Sequence, residues 1–136
     1  MSTSNGSNLA LILGSGSSAD IHGPDWLFDF DKEVGFEATD PFNVTFQFSV
    51  EIGVAGRGSF DWFSCVVSTN KGVFVTETNV LFFHKYSFLA LKHELNRILQ
   101  SCEAGTWYDC TVNLRRHFRW EFDGMYDEET LRKLNS

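Results

Sequence analysis

The order of hydrophobic periodicities along the chain predicts an α+β domain, an antiparallel β-meander followed by two packed helices. Three observations carry this. Residues 42–52 alternate apolar and polar side chains with period two, and glycine-rich or Asn-Lys-Gly turns separate that run from two further apolar segments. From Ser87 onward the apolar spacing changes to three and four. The chain has 136 residues, which fits one domain with a sizeable core and needs no metal or disulfide staple.

Residues 1–24 are rich in Ser, Gly and Asn and end at Gly23-Pro24, so they are expected to be poorly ordered, with one short strand at most over Leu9–Leu13. The domain proper is expected at residues 25–136. Gly14 to Ala19 mimics a dinucleotide fingerprint, but Asp20 to Pro24 cannot supply the helix that would present amide groups to a pyrophosphate. No Lys or Arg precedes the short apolar run, which argues against a secretory leader and for a cytoplasmic protein. No apolar stretch approaches the ~20 residues of a membrane span.

The first main strand places Phe42, Val44, Phe46, Phe48, Val50 and Ile52 on one face. Gly53, Gly56 and Gly58 supply a turn with Arg57 at its tip, Phe60–Ser68 returns, and Val80–His84 forms a third strand. Phe88, Leu91, Leu95, Ile98, Leu99 and Cys102 make the buried stripe of a first helix, which Gly105 ends. Thr106 with Asp109 resembles a capping box for a second helix from Trp107 to about Phe118. Trp120 to Phe122 reads as a last short strand, and Asp127 as the cap of a final turn reaching Leu134.

Charge narrows the function. The net charge is −7, and seven carboxylates face a single lysine between Asp20 and Asp40. Residues 84–120 carry the opposite bias, six Lys and Arg against three acids. The acidic segment repels a phosphate backbone, so a nucleic-acid partner is not expected and a basic protein partner is. A solvated acidic loop would look the same.

Chemistry is hard to find. His84, His93 and His117 could form an acid/base pair, but nothing in their spacing forces them together. His93-Glu94 lacks the second histidine of a zinc helix, no cysteine pair has ligand spacing, and Gly16 to Asp20 fails the nucleophile-elbow pattern at its closing glycine. The acids do not follow EF-hand order. Cys65, Cys102 and Cys110 are odd in number and read as reduced, buried thiols. No catalytic residue, metal or cofactor is assigned.

Asp40-Pro41-Phe42, Val50-Glu51-Ile52-Gly53, Gly105-Thr106-Trp107, Leu114-Arg115-Arg116 and Phe118-Arg119-Trp120-Glu121-Phe122, taken in order, resemble the immunity protein 8 family over about residues 40–126. The resemblance implies a protein encoded beside a bacterial polymorphic toxin, such as a contact-dependent growth inhibition effector, that protects the producing cell by binding the toxin. It implies that Gly53, Trp107, Trp120 and Glu121 define the fold. Trp120-Glu121 allows two readings, a core tryptophan beside a glutamate paired with Arg116 or Arg119, or a partner surface. The residues expected to meet the toxin are Asp25, Trp26, Phe28, Asp29, Asp31, Glu33, Glu37 and Asp40, with Phe30 and Phe36 as further apolar anchors. A basic cleft suits a nuclease toxin. A small histidine-dependent hydrolase or nuclease and an adaptor unrelated to toxins remain as alternatives.

Overall fold

The computed structural model describes residues 8–70, 72, 79–123, 129, 130 and 133. Its elements run β1 (Leu11–Ser17), β2 (Leu27–Asp29), β3 (Thr45–Val54), β4 (Phe60–Ser68), β5 (Val80–Phe82), α1 (Phe88–Cys102), α2 (Trp107–Leu114) and β6 (Arg119–Trp120). The sheet order is β2-β1-β3-β4-β5, and β6 joins the same side of β4 nearer its start. Among the described residues these six strands and two helices make the expected α+β domain. The final turn expected from Asp127 to Leu134 lies largely outside the described residues, as does Lys71 of the Asn-Lys-Gly turn.

Period-two alternation works as expected in β3. Val44, Phe46, Phe48, Val50 and Ile52 are buried, while Thr45 and Gln47 point to solvent. Phe42 precedes the strand and is exposed. β4 pairs with β3 from Gly53↔Phe60 to Thr45↔Ser68 across the glycine turn, in which Gly56 and Gly58 take φ of +84° and +73°. Left-handed backbone of this kind costs an L side chain roughly 1 kcal/mol, hence glycine.

Two expectations need correction. β1 is an interior strand between β2 and β3, so residues 11–17 belong to the folded body and not to a poorly ordered lead-in. Burial explains it. Leu11 joins the core, and a side chain on Gly16 would strike the Phe48 ring at 2.9 Å, so the glycine that looked like linker allows close packing. The second correction is direction. β5 pairs with β4 in parallel, whereas a meander would make it antiparallel. The 69–79 connection is longer than the two-to-five-residue loop of a tight hairpin.

α1 buries the predicted stripe from Phe88 to Cys102, and Ser87 caps it by accepting a hydrogen bond from the Ala90 amide. Phe88 stacks on Phe30 and Phe28 with ring centroids 5.5 and 6.2 Å apart. Thr106 caps α2 through the Asp109 amide at 3.1 Å, and α2 ends at Leu114, earlier than expected. The buried apolar side chains of both helices belong to one core cluster with those of the sheet.

Candidate functional site

The acidic segment forms the β2 edge of the sheet. After β1 the chain loops out and returns where the Ser18 amide donates to the Trp26 carbonyl at 3.0 Å. β2 then turns back on itself, with Asp29 and Val34 exchanging both backbone hydrogen bonds. Asp29 Oδ1 accepts from the amides of Asp31 and Lys32, which closes the turn. Glu33, at φ +56°, accepts from Lys92 Nζ at 3.0 Å and ties the turn to α1. Glu37 accepts from the Phe88 amide at 2.9 Å, a second and anionic cap on α1. Asp40 Oδ1 holds the Phe42 amide. Most of these carboxylates therefore shape the edge as well as charge it. Asp25 and Asp31 are exposed and have no hydrogen-bond or ion-pair partner for their side chains among the described residues.

The aromatics expected as anchors divide. Trp26 is 49% exposed and remains available. Phe28 does not: it is wholly buried, ringed by Phe30, Phe46, Phe48 and Phe88. Phe30 is buried as well, and Phe36 is half-buried against Phe46 and Tyr86. The reason is the pleat of β2. Phe28 and Phe30 stand two residues apart and point inward together, while Leu27 and Asp29 alternate with them. That alternation also identifies two surface residues that composition alone missed. Leu27 and Val34 are exposed beside Trp26 and the carboxylates.

Gly53, Trp107, Trp120 and Glu121 converge on the opposite end of β4. A side chain at Gly53 would lie 2.4 Å from the Ser59 carbonyl oxygen. Trp120 is buried, stacks on Phe63 at 6.4 Å and donates from Nε1 to Asp61 Oδ2 at 3.0 Å. Trp107 borders the same carboxyl and, like Trp120, favours its charged form. Glu121 pairs with neither Arg116 nor Arg119 here. Its Oε1 accepts from the Trp62 amide and its own amide donates to the Trp62 carbonyl, extending the β4–β6 ladder. Arg115 Nε lies 2.7 Å from Asp123 Oδ1, and its guanidinium stands over the Trp120 ring. Asp61 is the residue the sequence did not single out, since one acid in a strand carries no visible signal.

Burial raises the Asp61 carboxyl above its usual 3.8, and the two tryptophan donors only partly oppose this. A raised carboxyl takes up its proton in the folded state first. Its contribution to stability therefore falls as pH rises from 3.8 through the raised value. The difference in urea-unfolding free energy between wild type and Asp61→Asn should change across that window in favour of the variant. A difference that stays flat between pH 3 and 7 would contradict this placement.

The candidate reacting groups are not assembled. Among the described residues, no hydrogen bond joins the imidazoles of His84, His93 or His117 to another histidine or to a carboxylate. His84 and His93 are exposed, and burial together with Arg97 lowers the His117 imidazole below its ordinary value. All three cysteine thiols are buried and raised by that burial, Cys65 to about 12, so none supplies a thiolate near neutrality. No group of His, Cys, Asp and Glu that could hold a metal ion occurs among the described residues. No described helix is long and apolar enough to cross a membrane.

Neither curated proteins nor solved structures gave a match. The model of the immunity protein 8 family matches residues 26–125. It begins well before residue 40 and takes in the acidic edge, as β2 and its turn must if Phe28 and Phe30 help build the core. β1 lies ahead of it. With the match covering most of the chain, the chain belongs to the immunity protein 8 family, proteins of polymorphic toxin systems.

Proposed function

We propose that the chain neutralises its cognate toxin by stoichiometric binding through the β2 edge, in the cytosol of the cell that makes the toxin. The observation behind this reading is the exposed set Trp26, Leu27 and Val34 interleaved with Asp25 and Asp31, whose charges no cation of the described chain neutralises. Exposed apolar anchors beside unpaired carboxylates are the makings of a specific interface. Such an interface buries roughly 1,600 Å² and needs no reacting group.

A nuclease is the toxin this surface suits. An enzyme that holds a phosphate backbone carries a basic cleft, and rigidly held carboxylates compete for it. Contact-dependent growth inhibition is the delivery route this reading favours, and a toxin domain encoded beside this gene is the partner to test. Asp25→Lys with Asp31→Lys is the cleanest probe, because neither carboxylate holds the backbone. At low salt the double variant should associate with that domain about tenfold more slowly or worse, with the difference shrinking as salt rises. An unchanged association rate at low salt would remove this edge as the binding surface.

A further inference from the structure

Beside the acidic edge, a cleft of about 380 Å³ opens between the loop after β1, the 36–40 segment and the start of β3. The buried side chains of Val44 and Phe46 and the half-buried ring of Phe36 line it, and Asp20, His22 and Asp40 belong to its lining as well. Each carboxylate is held in place by one oxygen. β1 leaves β3 after Ser17↔Ser49, and Asp20 Oδ2 takes over by accepting the Gln47 amide at 2.7 Å. Asp40 Oδ1 accepts the Phe42 amide at 3.0 Å. That leaves one oxygen on each carboxylate without a hydrogen-bond partner among the described residues. No described lysine or arginine makes an ion pair with either. Lys85, brought to this end by the Tyr86–Pro41 backbone bond, sits over the Phe42 ring instead.

An apolar floor between two fixed, unpaired carboxylates matches a long side chain with an aliphatic stem and a cationic head. We infer that this cleft receives an arginine side chain of the partner protein, its stem against Val44 and Phe46, its guanidinium beside the Phe36 ring and between Asp20 and Asp40. Arginine fits better than lysine, because its planar fork can address two carboxylates and lie against an aromatic ring at once. The inference rests on the toxin-binding reading for the identity of the partner, but the chemistry of the cleft can be tested without it.

Full-length protein is titrated with N-acetyl-arginine amide at pH 7.5 and followed by amide chemical shifts. N-acetyl-norleucine amide serves as the uncharged control. Saturable shifts clustered at Ile21, Thr39, Asp40 and Asn43 are expected, several-fold weaker for the norleucine compound. Asp20→Asn with Asp40→Asn keeps an oxygen for both backbone amides and should abolish saturation while leaving the thermal midpoint close to wild type. Asn43→Lys, which sets an ammonium at the mouth of the cleft, should do the same. Shifts that are equal for both compounds, scattered over the surface or unchanged in the variants would overturn the proposal. The neighbouring toxin domain separates the two readings. A tight complex indifferent to these substitutions removes the cleft and keeps the immunity reading. Arginine binding with no toxin complex does the reverse.

Discussion

Trp120→Ala is expected to destabilise the domain by about 3–5 kcal/mol, the largest loss available from one side chain outside the phenylalanine cluster. The ring is 1% exposed, and it stacks on Phe63, meets Phe122 edge-on at 5.1 Å and holds the Asp61 carboxylate. Truncation leaves a cavity and also strips a half-buried carboxylate of a donor, so the two penalties act together. Since domains of this size have roughly 5–15 kcal/mol in total, the variant should sit near the edge of folding. Trp120→Phe separates the contributions. It keeps most of the stacking and loses the Nε1 donor, and about 1–3 kcal/mol is expected. Urea unfolding monitored by far-ultraviolet circular dichroism measures both. A loss under about 1 kcal/mol for the alanine variant would mean that β6 is not docked on β4 as described.

Phe28→Ala should have an effect of similar size for a different reason. Its ring meets four other aromatic rings, from the turn after β2, from β3 and from α1, and it is 0% exposed, so truncation creates a void where sheet and helix meet. About 3–5 kcal/mol is expected again. The comparison with Trp26→Ala, two residues earlier, is the informative one. Trp26 is half exposed, so its loss should leave stability within about 0.5 kcal/mol while weakening the toxin complex tenfold or more. The folded fraction of Phe28→Ala should bind toxin as the parent does. Reversal of this pattern, with binding lost at Phe28 and stability lost at Trp26, would show that the face of β2 had been assigned backwards.

Strong local periodicity made much of the architecture legible. Apolar side chains at spacings of three and four mark α1 up to Cys102, the run between two turn signals marks β4 at Phe60–Ser68, and Thr106 with Asp109 marks the α2 cap. β2 is three residues long, too short to show a period, and the acids around it mask the alternation of Phe28 and Phe30. β1 was hidden differently. Gly14, Gly16 and three serines suggest a linker, and only the crowding of Gly16 against Phe48 and Phe30 shows why a side chain is unwelcome there. The direction of β5 depends on the path of a connection, which pairing preferences do not encode. At the site, charge was readable as a sum but not as geometry. Glu33 and Glu37 reach α1 and Asp20 stands in for a missing strand residue, all contacts between distant positions, whereas Asp29 and Asp40 close local turns.

The central place of β1 also bears on how the chain is made. Ribosomes add roughly 5–20 residues per second, so β1 is synthesised seconds before β2 and β3, the neighbours that flank it. During that interval a ready-to-pair segment is held without a mate. Leu11-Ile12-Leu13 is its only sticky stretch, and the serines, glycines and asparagines on either side have little appetite for cross-chain association. The bland residues around it let β1 wait safely in a crowded cell until the hairpin it will line has emerged.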